Sequence, residues 1–152
     1  MTDQEIKEIC EEHRITNYTI NDGVVDVDNA VIFVDMSREL TKLPLKFGTV
    51  TGSFYCSDVG LTTLEGSPHT VTAAFQCDGN DLTDLKGCPQ NVGRWFWCNK
   101  NKLTSLEGSP KEVEDFNCSE NKLTSIKGSP DKVRGVLRCS YNDITSLEGL
   151  PK

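Results

Sequence analysis

Residues 96–133 read FWCNKNKLTSLEGSPKEVEDFNCSENKLTSIKGSPDKV, and the second half repeats the first almost letter for letter. The same unit recurs outward from this stretch in both directions. Cysteines stand at Cys56, Cys77, Cys98, Cys118 and Cys139, spaced 21, 21, 20 and 21 residues apart. Two residues before each lies Phe54, Phe75, Phe96, Phe116 or Leu137. Five residues after comes Leu61, Leu82, Leu103, Leu123 or Ile144, and eight after comes Leu64, Leu85, Leu106, Ile126 or Leu147. A glycine column (Gly66, Gly87, Gly108, Gly128, Gly149) and a proline column (Pro68, Pro89, Pro110, Pro130, Pro151) follow. Four units end in Val71, Val92, Val113 and Val133. So many columns in phase mark a repeat array, in which each unit buries its apolar side only against its neighbours.

Each column has a physical reason. Phe and Cys alternate, so both point inward from one short strand. A cysteine there acts as a small buried apolar residue. Asn80, Asn101, Asn121 and Asn142 form the next column, where a buried amide can satisfy the backbone groups of the turn leaving the strand. Proline removes a donor and works against a regular strand on the far side. The unit F-x-C-x-x-N-x-L-T-x-L-x-G-x-P resembles the leucine-rich-repeat motif L-x-L-x-x-N-x-L. That resemblance implies a solenoid with a parallel β-sheet on its concave face and an irregular, turn-built convex side. A degenerate unit precedes the five, with Phe33, Leu40 and Leu43 in their columns, Asp35 at the cysteine position and Arg38 where Asn belongs. Residues 31–152 therefore read as about six units.

Residues 1–30 read as an N-terminal cap. Thr2-Asp3-Gln4-Glu5 matches a capping box, and Ile6, Ile9, Cys10 and His13 share one helix face. YTI, the turn residues Asn21-Asp22-Gly23, and VVDV suggest a hairpin. Asp22, Asp26 and Asp28 lack the full spacing and the terminal Glu of a calcium loop, and read as a solvated strand edge.

The 152 residues carry a net charge of −7. Residues 1–50 hold −5 of it and residues 51–152 the other −2. No basic cluster is present to neutralise phosphates, so neither nucleic acid nor an anionic membrane is an expected partner. No apolar run nears the roughly 20 residues of a membrane span. The acidic start MTDQEIKEIC lacks a secretion-signal layout, which points to the cytoplasm.

Repeats such as CSENKLTSIKGSP and CNKNKLTSLEGSP, behind a lead-in such as YTINDGVVDVDNAVIFV, resemble small leucine-rich-repeat proteins of tailed bacteriophages and some bacteria. The resemblance runs from about Ile15 to Lys152. It implies a protein made inside an infected bacterial cell, and it brings no catalytic residues; a phage-encoded inhibitor of a host or defence protein is the functional expectation. The repeats are also similar to those of bacterial effector ubiquitin ligases, whose separate catalytic domain these residues do not include.

Side chains alternating with Phe and Cys face outward on the concave sheet. Trp95 and Trp97 flank Phe96, so both face out, mid-array, and they are the only tryptophans. Exposed paired aromatics are hot-spot material, although they can also pack on each other or on Tyr55. With Tyr55, Gln76, Asn99, Asn117 and Arg138 around them, they form the candidate binding residues. The cysteine column is in line, about one strand spacing apart, and apolar, which favours structural thiols over a metal site or disulfides. Cys10 and Cys88 lie outside it, and Cys88, replacing a serine before Pro89, is expected to be at least partly exposed. His13 and His69 have no partners that suggest catalysis. No nucleophile elbow, phosphate loop or zinc motif occurs, and no cofactor is expected. The expectation is a non-enzymatic protein-binding module. The alternative is a protein that stacks a nucleotide-like small molecule on the aromatic pair. The last unit exposes a strand edge near Ile144, Leu147 and Leu150, which points to a homodimer through that C-terminal edge unless Leu150 and Pro151 fold back over it.

Overall fold

The computed structural model describes residues 1–152. Helix α1 (Asp3–Glu12) is followed by thirteen short strands. These are β1 (Tyr18–Asn21), β2 (Val24–Val27), β3 (Val31–Ile32), β4 (Lys46–Val50), β5 (Phe54–Tyr55), β6 (Thr70–Val71), β7 (Phe75–Gln76), β8 (Asn91–Val92), β9 (Trp95–Trp97), β10 (Glu112–Val113), β11 (Asp115–Asn117), β12 (Lys132–Val133) and β13 (Leu137–Arg138). They wind into a parallel β-solenoid of about five turns. No helix is long and apolar enough to cross a membrane.

The main sheet has six parallel strands in the order β13-β11-β9-β7-β5-β3. Behind it, Phe54, Phe75, Phe96 and Phe116 form a fully buried column with ring centroids 5.7, 5.2 and 5.6 Å apart. The cysteine column runs beside it. Cys56, Cys77, Cys98 and Cys118 are buried, Cys139 is half-buried, and all seven thiols of the chain are free. Each buried thiol donates to a carbonyl of the next turn, Cys56 to Gln76 at 3.3 Å and Cys98 to Asn117 at 3.4 Å among them.

The asparagine column staples turn to turn. Asn101 Nδ2 donates to Cys98 O in its own turn at 3.1 Å and to Cys77 O in the turn before at 3.0 Å, while its Oδ1 accepts from Leu82 N at 3.0 Å. Asn80, Asn121 and Asn142 repeat the pattern. These bonds satisfy backbone groups that would otherwise be buried unpaired. Val59 interrupts the column, so no asparagine of the second turn reaches back into the first. There Asp35 takes over, its carboxylate accepting from the N–H groups of Ser37, Glu39 and Leu40 at 2.8–3.0 Å. The Ser37 contacts come first among the causes that hold the Asp35 carboxyl below its ordinary range.

Four expectations are corrected. The far side is not irregular. A second sheet, β1-β2-β4-β6-β8, and the parallel pair β10-β12 run along it through the valine column. Pro68, Pro89, Pro110 and Pro130 each sit two residues ahead of a short strand, so they remove no donor from the ladder. The residues expected as a separate hairpin join this sheet. β1 and β2 pair antiparallel around Asp22 (φ 50°) and Gly23 (φ 77°), the two positive angles that a type I′ turn requires. β2 then pairs in parallel with β4. The first turn is also out of the expected register. Val31, not Phe33, lies opposite Phe54, which places Phe33 in the cysteine column. Phe33 meets the ring of His13 at 4.9 Å there, while Ile6 and Cys10 of α1 join the core. Finally, Cys88 is buried, with its thiol donating to Gly108 O at 3.2 Å. Ser109 and Ser129 make the equivalent bond to Gly128 and Gly149.

The second sheet is broken between β8 and β10. Elsewhere Gly93 N bonds Val71 O, and Arg134 N bonds Val113 O. At the break Glu114 N bonds Arg94 O instead of Val92 O. The corner from Val113 to Phe116 is one residue shorter than the corners from Val92 to Phe96 and from Val133 to Leu137. That missing residue produces the single 20-residue spacing and shifts the local register.

Candidate binding surface

β9 brings the two tryptophans onto the outer face of the main sheet by simple alternation. Phe96 is fully buried, and Trp95 and Trp97 on either side are partly exposed. The strand register aligns five of the sequence-selected residues in one row across the sheet: Tyr55, Gln76, Trp97, Asn117 and Arg138. Neighbours in such a row are about 4.8 Å apart. Tyr55, Gln76 and Asn117 are partly exposed, and Arg138 is exposed at the sheet's edge. Trp95 belongs to the parallel row of Ser53, Ala74 and Asp115. Asn99 lies in a third row beyond the strand, with Ser57, Asp78 and Ser119.

The indole rings pack on one another, with centroids 6.2 Å apart and planes 32° from parallel. That distance lies within the range of about 4.5–7 Å for a direct aromatic pair. Ala74 is only 1 % exposed although its row faces outward. A methyl group cannot cover itself, and the register puts Trp95 beside it.

Four buried side-chain polar atoms in the protein lack a hydrogen-bond partner: Ser67 Oγ, Trp95 Nε1, Trp97 Nε1 and Asn99 Oδ1. Three of them fall within this one strand and its exit. An unpaired buried donor or acceptor costs about 1–3 kcal/mol, so the aromatic pair rests in an under-satisfied state. Two carboxylates were not picked out from the sequence. Asp115 lies next to Trp95 and accepts from Val136 N at 2.7 Å, and Asp78 lies in the row of Asn99 and accepts from Ser57 Oγ at 2.6 Å. The outward phase that selects the tryptophans would also have found them.

A further cleft lies elsewhere. It holds about 1000 Å³ and crosses the break in the second sheet, lined by Thr70, Asn91, Glu112, Glu114 and Arg134 among others. Glu112 is paired with Arg134 and with Lys132, and these contacts, Arg134 first, hold its carboxyl below the ordinary range. On the loop edge of the main sheet, Asp81 bridges Lys102 at 2.8 Å and Arg38 at 3.6 Å.

The thiols are poor nucleophiles. Burial pushes Cys56, Cys77 and Cys98 well above the ordinary value and pushes Cys88 and Cys118 up to about 12. The thiolate is the reactive form, and burial withholds it at neutral pH. No group of three or more His, Cys, Asp or Glu is placed to hold a metal ion.

Comparison with protein-family models, curated proteins and solved structures gives no match. The functional reading therefore rests on the geometry of the chain itself.

Proposed function

We propose that this chain is a leucine-rich-repeat binding module that grips a protein partner on the outer face of its main sheet, without catalysing a reaction. In keeping with the resemblance of its repeats, the partner is a host or defence protein met in the cytoplasm of a phage-infected bacterium. One observation carries the reading. The only two tryptophans stand side by side in the middle of the face, partly exposed, with both indole N–H groups unpaired. Tryptophan is the residue most typical of binding hot spots; both indole N–H groups are buried in the free chain, so a partner's acceptors relieve their penalty only as docking turns the rings outward. The polar surround of Gln76, Asn99 and Asn117 suits a rim that hydrogen-bonds around an aromatic anchor. Stacking of a nucleotide-like molecule ranks second, because the rings close on each other instead of leaving a slot.

The test uses both tryptophans at once. Trp95→Ala with Trp97→Ala removes no fully buried side chain, so circular dichroism should show the parent fold. Capture of the host partner from infected-cell lysate should weaken by at least about 2 kcal/mol, the usual hot-spot threshold, which is roughly 30-fold. Parent-like capture by the folded variant would move the working surface off this face.

A further inference from the structure

The large apolar side chains that solvent reaches are not scattered. They collect at the two ends of the solenoid: Ile32, Val34 and Met36 with Met1 at the start, and Val136, Tyr141 and Leu147 with Leu150 at the finish. No large hydrophobic residue between Met36 and Val136 is exposed. Contiguous exposed apolar surface on an otherwise polar protein marks an interaction site.

The backbone at these ends is unpaired as well. β3 bonds only to β5 and β13 only to β11. Val31 and Phe33 give their N–H groups to Ser53 and Tyr55, so the amide and carbonyl of Ile32 point away from the sheet. Both edges belong to one parallel sheet. The free side of β13 therefore offers what each inner strand offers to the following turn, and the free side of β3 offers what each inner strand offers to the preceding one. A groove of about 560 Å³ runs beside β3, between Glu12–Ile15 and Ala30–Val34.

The charges are complementary. Residues 1–36 carry nine acidic and two basic side chains, a net −7. Residues 127–152 carry five basic and three acidic, a net +2. Unlike ends attract, while a pairing of two finishing ends would set like charge against like.

We infer that copies of this chain associate head to tail, the β13 edge of one seating along the β3 edge and its groove on the next. Helix α1 covers the core of the first turn, so the contact is made by strand edge and groove and not by a continuous core. This differs from the dimer through two C-terminal edges that the sequence suggests. A head-to-tail interface is heterologous, so it builds open chains or, where its rotation closes, rings of several copies.

Sedimentation at increasing concentration tests this on the 152-residue chain. The average mass should rise above 16.8 kDa and keep rising past the dimer. A start-blocked variant, Ile32→Lys with Val34→Lys, sets lysines against the basic end. A finish-blocked variant, Val136→Glu with Tyr141→Glu, uses the acidic side chains that Asp115 and Glu120 already supply one turn earlier. Each variant alone should stay monomeric, and an equal mixture should regain association, because it pairs the intact finish of the first variant with the intact start of the second. A parent chain that is monomeric up to about 1 mM, where only contacts weaker than about 4 kcal/mol escape notice, overturns the inference without any variant. Dimers of the start-blocked variant alone would also overturn it, in favour of paired C-terminal edges.

Discussion

The two sheets share every turn of the chain, yet the main sheet runs unbroken through six strands while the second breaks between β8 and β10. The same missing residue at the Val113–Phe116 corner acts on both. Behind the main sheet stand the phenylalanine, cysteine and asparagine columns, each repeating turn after turn. The second sheet rests on the valine column alone along β6, β8, β10 and β12. A local insult is absorbed where fewer independent contacts resist it. The continuous sheet also carries the tryptophan pair, and a face meant to hold side chains in fixed positions benefits from a rigid support.

The largest expected effect comes from alkali acting on the main sheet's interior. Below the ordinary thiol value of 9.0, folded and unfolded chains both keep their thiols protonated, and these groups make no difference to stability. Above it the unfolded chain ionises while Cys56, Cys77, Cys88, Cys98 and Cys118 remain protonated in the fold. The unfolded state then binds fewer protons, so stability falls as pH rises, by about 1.4 kcal/mol per pH unit for each such thiol. Urea titrations between pH 8 and about 11 should show a steep loss starting near the ordinary thiol value of 9.0. Cys98→Ala should make the slope shallower by one thiol's share. A flat profile would mean that the column is open to solvent.

Asparagine substitutions sharpen the contrast inside the main sheet. Asn101→Ala leaves the Leu82 N–H and the carbonyls of Cys77 and Cys98 without a side-chain partner in a buried place. The expected cost is about 1–3 kcal/mol. Asn142 makes the same bonds from a half-buried position, where water can replace them, so Asn142→Ala should cost clearly less. Denaturant midpoints compare the two, and equal losses would contradict a graded burial along the column.

The repeat made much of this legible in advance. The 21-residue beat locates the six main strands, and the alternation of Phe and Cys places Trp95, Trp97 and their row outside. The first turn was not legible for a physical reason. Val31 and Phe33 both point inward, and a slip of two residues keeps the same faces in place, so alternation alone cannot separate the registers. Arg38 looked like a lost asparagine, while the working substitute, Asp35, sits three residues earlier. Cys88 read as exposed because serine fills its column elsewhere, but the column donates to a glycine carbonyl one turn on, which a buried thiol can also do. The second sheet was hidden because each later unit gives it a single inward residue, the valine, with no second inward residue to alternate with it. The unpaired indole nitrogens depend on side-chain orientation, which no spacing encodes.

The smallest effect addresses the break itself. A glycine inserted between Glu114 and Asp115 gives the corner the length found in the other turns. If the short corner causes the break, Glu114 N should leave Arg94 O for Val92 O, and Glu112 N should reach Gln90 O, as Asn91 N reaches His69 O one turn earlier. The gain of one backbone bond is worth about 0.5–1.5 kcal/mol, offset by the entropy of the added glycine, so overall stability should hardly move. Amide exchange is the sensitive readout. The Glu112 amide, which makes no such bond to the preceding turn in the parent, should become protected, while amides of β9 and β11 in the main sheet should exchange as before. Unchanged exchange at Glu112 would place the cause in the side chains that face each other across the gap, Gln90 and Asn91 against Glu112 and Glu114. Loss of protection in β11 would show that the main sheet is no stiffer than the second, and the contrast between the two would fail.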